Sequence, residues 1–268
     1  MTVIGQIALN VYRESVRDRV LYNLVFFALL IISASYLIGQ LTAGQDIKII
    51  KDLGLSAIAL FGLFIAVFIG IGLVSKEVER RSVYAVIAKP VRREQLVLGK
   101  YAGLVLTLAV NVAIMLAVWY LVLGYMSWTE SDAFKQAWEA PATDLRMLQA
   151  VLLIFVELML VTAIALFFST FSTPMVSAAM TFGLYVIGHF SADLRNLGTM
   201  LKSSGAAYVG QACYYLLPNM ATFDIKADVV HGHPVSAGYL AIAVAYGLVY
   251  IAALLTGGMF IFSRRDFK

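Results

Sequence analysis

The sequence predicts an all-α, polytopic membrane protein in which six helices cross the bilayer, and three observations point there. Hydrophobic residues make up 61% of the 268 positions and charged residues 13%, with a mean hydropathy of +0.86, whereas roughly a quarter of the residues in soluble domains are charged. The charges are gathered into short clusters separated by long apolar runs. Lys and Arg are divided unevenly between alternate clusters, as the positive-inside bias of membrane proteins requires.

Residues 1–19 carry Ile4, Ile7, Ala8 and Val11 at helical spacing, followed by Arg13, Glu14, Arg17 and Asp18. That pattern suits a retained helix lying in the interface, or equally a cytoplasmic extension of the first span. No charge falls between Arg19 and Asp46, so about 20–41 forms a first span of about 33 Å, enough for a hydrocarbon core of roughly 30 Å. About 53–74 and 101–126 pass the same test. From Met147 to Phe190 the sole charge is Glu157; Pro174, which suits a first helical turn, divides this run into spans of about 147–171 and 174–190. In the outer loop 191–234, "GAAYVGQACYYLLPN" is too short to cross and predicts a re-entrant or interfacial segment from about Ala206 to Phe223. The last span covers about 235–262. All of 1–268 reads as one transmembrane domain with no internal repeat.

Six crossings put both ends on one side. With the termini and residues 76–100 there, that side holds 13 of the 20 Lys and Arg, and the other holds 7, which predicts cytoplasmic termini. The pI of about 9.1 then follows from topology and needs no nucleic-acid partner. The single cysteine, Cys213, excludes an internal disulfide, and no Cys/His cluster at ligand spacing points to a metal.

Residues 76–100 hold 10 of the 36 charges, of both signs, around the apolar Val78, Val83, Tyr84, Val86 and Ile87. Glu77 and Arg81 at i, i+4 support continuation of the second span's helix, and Lys89 before Pro90 predicts a break with a new helix after it. The element reads as a helix, elbow and helix with a docking surface for a cytoplasmic protein; a plain topology-setting loop is the alternative. "SKEVERRSVYAVIAKPVRREQLVLGKY" resembles the first cytoplasmic loop of ABC type-2 permeases. "YGLVYIAALLTGGMFIFSRRDFK" resembles that family's closing span and basic tail, and "YLLPNMATFD" is similar to a segment of its branch for maturation of multicopper enzymes and nitrous oxide reductase. The resemblance implies a type V exporter-like fold in a bacterial inner membrane, a homodimer on two cytoplasmic ATP-binding subunits, and ATP and Mg held by those subunits and not by this chain. It further implies that Glu77, Glu79, Arg80, Arg81, Ser82 and Tyr84 form a coupling-helix contact, with Arg92 and Arg93 at its rim. No G-x-x-x-x-G-K-[ST] phosphate loop occurs in the chain.

Within the spans, Glu157 is costly unless paired, protonated or facing a wet cavity, so it is a functional candidate beside the plainer reading of a protonated, hydrogen-bonded carboxyl. Asn111 and His189 could join it as polar glue or as lining of a translocation path. His189 and Asp193 are i, i+4, though helix-end hydrogen bonding accounts for the histidine more simply. The ten Met residues are scattered and read as packing, and His231 and His233 in "HGHP" as a solvated turn. The leading function is ATP-driven export, or energising of a periplasmic partner. An ion-coupled carrier using Glu157 and an intramembrane enzyme are the alternatives; the latter lacks a G-x-S-G, an H-E-x-x-H and an intramembrane carboxylate pair.

Overall fold

A computed structural model describes residues 2–41, 46–79, 93–136, 138, 140–191 and 204–264. Among them the chain is all-helical: α1 (Val3–Ser15), α2 (Arg19–Gln40), α3 (Asp46–Glu79), α4 (Arg93–Thr129), α5 (Asp132–Lys135), α6 (Met147–Ser169), α7 (Pro174–His189), α8 (Ser204–Leu216), a 3-10 turn (Met220–Phe223), α9 (Lys226–Val230) and α10 (Ala237–Arg264). Local chemistry sets several starts. Asp18 Oδ1 accepts from the Val20 amide at 2.9 Å and separates α2 from α1. Pro174 stands in the first turn of α7, where its missing N–H costs nothing.

Among the described residues five helices, α2, α3, α4, α6 and α10, are long and apolar enough to cross a membrane; α3 and α6 are the most buried of them. Those two lie side by side and parallel. A Cβ on Gly62 would strike Leu158, and one on Gly70 would come within 2.9 Å of the Ala165 Cβ. In lipid, where apolar side chains gain nothing by leaving their solvent, such small residues let backbones approach and gain dispersion contact. α4 runs against α6: Tyr101 Oη donates to the Met159 carbonyl at 3.2 Å, and Tyr120 Oη to the Asp144 carbonyl at 3.0 Å. α2 runs against α3, its first turns facing Phe68 and Ile69 across a groove, while Tyr36 near its end meets Tyr125 of α4. α10 is parallel to α6, with Gly247 against Val156 and Gly258 against Phe167 and Thr170.

These registers gather one set of ends together. α1, the start of α2, the ends of α3, α6 and α10, and the start of α4 share one end of the bundle, here the near end. α1 is a helix of its own, and its apolar stripe lies on protein: Ile7, Ala8 and Val11 close on Gly99 and Gly103 of α4. The sequence pattern is that of a half-buried helix, and periodicity alone does not separate a lipid neighbour from a protein one.

The expected crossing at 174–190 is shorter than a span. α7 has 16 residues and rises about 24 Å, short of a hydrocarbon core of roughly 30 Å. Running back along α6, it ends level with Glu157, ten residues or about 15 Å before the first residue of α6 is reached. The rest of that depth is occupied by Pro218–Val230. Met220 and Phe223 are fully buried against Gly188 and Gly247, and at the far end Arg146 Nη1 donates to the Gly232 carbonyl at 2.7 Å. The inserted piece overlaps the end of the expected segment, about Ala206 to Phe223, while α8, earlier in it, keeps Tyr208, Tyr215 and Leu216 exposed.

At the far end, Trp119 is wholly buried and its Nε1 donates to the Ile50 carbonyl at 3.2 Å. Gly54 leaves room for that ring. Gly54→Ala should therefore displace Trp119 and cost about 1–3 kcal/mol, seen as a lower Tm of the purified protein in detergent. Gly183, with open space where its Cβ would be, is the control: Gly183→Ala should leave Tm unchanged or raise it slightly.

Candidate functional site

The charged coupling segment divides at the limit of the described residues. Arg80, Arg81, Ser82, Tyr84 and Arg92 lie outside them; Glu77 and Glu79 are in the last turns of α3 and Arg93 is the first residue of α4. α3 continues without a break past the apolar run to Glu79, and α4 begins at Arg93. The predicted break at Lys89 and Pro90 lies outside the described residues.

The polar site inside the bundle is built where α7 stops. Glu157 is 4% exposed in the middle of α6, and Nε2 of His189, the last residue of α7, lies 3.3 Å from its Oε1. That is ion-pair distance without hydrogen-bond alignment, so Oε1 has no hydrogen-bond partner among the described residues. The other ring nitrogen, Nδ1, is 3.1 Å from the Tyr185 carbonyl one turn back, the helix-end bond expected for this residue. The Tyr185 ring rests on the imidazole with centroids 4.5 Å apart. Asp193 lies outside the described residues.

Two further charges face this pair from the inserted segment. Lys226 and Asp224 both act electrostatically on Glu157, and Lys226 Nζ lies 3.7 Å from Asp224 Oδ2. Polar backbone at this depth is satisfied by tyrosines of α10 and its approach. Tyr246 Oη accepts from the Asn219 amide at 2.7 Å, and Tyr239 Oη donates to the Thr222 carbonyl at 2.7 Å. Irregular backbone at membrane depth is tolerated only where protein or a wet cavity covers it, and here protein does.

Of the three candidates within the spans, the fold joins Glu157 to His189. Asn111 is buried in α4, where Nδ2 donates to the Thr107 carbonyl of its own helix at 2.6 Å. His231 and His233 flank Gly232, whose φ of 74° makes the turn, and His233 is largely exposed beside Asp228. Among the described residues no three His, Cys, Asp or Glu side chains cluster as metal ligands.

Sequence reasoning did not find Lys51, Asp224, Lys226 or Tyr185. Lys51 is 1% exposed, and its Nζ reaches the Ala140 carbonyl at 3.4 Å with Asp144 as nearby countercharge. Its signal was available in "DIKIIKDLGL", where Ile47 and Ile50 already belong to the core. Likewise Phe223, Ile225, Val229 and Val230, interleaved with charges in "TFDIKADVV", mark an amphipathic insertion and not a free loop.

Removing the imidazole should strand a buried carboxyl group. His189→Ala is expected to cost about 1–3 kcal/mol of stability, and less than half of that in a Glu157→Leu background where no carboxyl remains. Thermal unfolding of the four proteins in detergent checks this; simple additivity of the two changes would contradict it.

The chain matches the family model described as ABC-2 family transporter protein over residues 6–267. No curated protein matches it significantly.

Proposed function

The chain belongs to the ABC-2 family of transporter proteins, and from that premise we propose that two copies of it form the moving membrane part of an exporter driven by two separate ATP-binding subunits. It is a membrane subunit of the transport machinery and has no ATPase domain; permeases of this family partner with ATP-binding subunits. In our reading the segment between α3 and α4 docks in each ATPase through Glu77, Glu79, Arg80, Arg81, Ser82 and Tyr84, with Arg92 and Arg93 at the rim. ATP and Mg belong to the ATPase, and the docking side is the cytoplasmic side of a bacterial inner membrane, with both termini on it.

One observation carries this reading: α1, the start of α2, the ends of α3, α6 and α10 and the start of α4 meet at the near end, where residues 80–92 link α3 to α4. α3, with 34 residues, and α4, with 37, are unbroken from that end to the other, about 50 and 55 Å long. Force applied at the link is thus delivered along two stiff rods to the far end, where Trp119, Ile50 and Lys51 bind them to each other and to the loop before α6. The work done is export of a substrate or the energising of a partner beyond the membrane; similarity of "YLLPNMATFD" to the multicopper and nitrous oxide reductase maturation branch supports the second.

Reversing the charge of the link separates docking from folding. Arg80→Glu with Arg81→Glu should cut recovery of the ATPase with the tagged chain about tenfold or more, while membrane insertion and Tm stay unchanged. Co-purification at the unaltered level would contradict the assignment.

A further inference from the structure

The chain that leads into α6 is held from three sides at the far end of the bundle. Over Ala140–Arg146, Ala140 and Ala142 are buried while Pro141, Thr143 and Leu145 face outward, so the segment lies across the helix ends as a strap. Lys51 Nζ of α3 donates to the Ala140 carbonyl at 3.4 Å, Tyr120 Oη of α4 to the Asp144 carbonyl at 3.0 Å, and Arg146 Nη1 to the Gly232 carbonyl of the turn before α10 at 2.7 Å. Asp144 organises the middle: its Oδ1 accepts from the Arg146 amide at 2.9 Å, which shapes the entry to α6, and its charge acts on Lys51.

One of these three ties differs from the others. Tyr120 is a neutral phenol, and Arg146 is exposed and keeps its hydration. Lys51 brings an ammonium to a place where the residue is 1% exposed, and its bond is the longest of the three. A buried ammonium gives up hydration that a carbonyl and a nearby carboxylate offset only in part. Its competing state is close by. Lys51 stands five residues, or about 7.5 Å, from the first residue of α3, so its four-carbon stem can lift the charge into the water beyond the helix end. The backbone has no such freedom: Trp119 Nε1 holds the Ile50 carbonyl and its ring fills the place beside Gly54, which keeps this turn of α3 against α4. Motion here falls to the lysine side chain and the strap.

We propose that Ala140–Arg146 is an opening strap over the far end of the bundle and that Lys51 is its catch, seated in this structure and released when the ammonium exchanges the Ala140 carbonyl for water. The two remaining ties are at Asp144 and Arg146, so the strap peels from its Ala140 end and uncovers Ala142. α3 and α4 stay joined through Trp119, and the far end opens without taking the bundle apart. The inference rests on these contacts and is independent of how the chain meets an ATPase.

The full chain in lipid nanodiscs, with Cys213 replaced and Ala142→Cys introduced, reports opening as the rate of maleimide labelling at that buried position. Asp144→Asn keeps an acceptor for the Arg146 amide and removes the countercharge, so labelling should speed up about tenfold or more. In the Lys51→Met background, which keeps an apolar stem and has no charge to hydrate, labelling should be slower than in the parent, and Asp144→Asn should change it less than about twofold. A carboxylate that only shaped the strap would act alike in both backgrounds. No acceleration by Asp144→Asn, equal acceleration in both backgrounds, or faster labelling on Lys51→Met alone would overturn the proposal. If the variants do not fold, acetylation of the unaltered protein from water, followed by mass spectrometry, decides the matter: Lys51 should react about tenfold or more slowly than the partly exposed Lys135, yet to completion while the protein stays folded. A Lys51 left unmodified, or one modified as fast as Lys135, would overturn it as well.

Discussion

Everything else in the bundle is arranged around the parallel contact of α3 with α6. Hydrocarbon gives apolar helices no reason to prefer each other over lipid, so association depends on how closely backbones can come. Gly62 and Gly70 of α3 supply that closeness, taking Leu158 and Ala165 of α6 where side chains of their own would stand. At the far end polar bonds tie α3 to the loop before α6, with Lys51 on the Ala140 carbonyl, and to α4, with Trp119 on the Ile50 carbonyl. Two parallel helices leave antiparallel places beside them. α2 and α4 fill those along α3, α4 and α7 those along α6, and α10 returns parallel to α6.

The length of α7 creates the polar site. A helix that halts at mid-depth exposes its last carbonyls and the chain that follows, and these need partners where water is scarce. His189 closes on its own helix and on Glu157, and Pro218–Val230 enters to fill the depth that α7 leaves open. The carboxyl group is therefore a product of the same economy of hydrogen bonds as the insertion.

What was legible in the sequence follows from signal length. The long apolar runs that became α2, α3, α4, α6 and α10 are read from charge spacing, and Pro174 marks its helix start because proline leaves few alternatives. Glu157 and His189 were both visible as polar residues in apolar runs; their contact was not, since it depends on α7 folding back by 15 residues to the level reached by α6. The window at 174–190 holds 17 residues, the lower limit of a span, so the helix end near His189 was legible and its failure to cross was not. Lys51 was set outside a span because a lysine weighs heavily in any hydropathy sum, whereas its long stem and a carbonyl partner let it be buried.

The account rests on one bundle end carrying both the chain's beginning and the joint between α3 and α4, with the turn at His231–His233 at the other. Cysteines placed singly at Thr2, Lys89 and His233, after replacement of Cys213, can be labelled in whole cells with a membrane-impermeant maleimide. Labelling of His233→Cys in intact cells, and of Thr2→Cys and Lys89→Cys only after permeabilisation, is the outcome the account requires. Reaction of Thr2→Cys and Lys89→Cys from opposite faces, or of Lys89→Cys from the same face as His233→Cys, would contradict it.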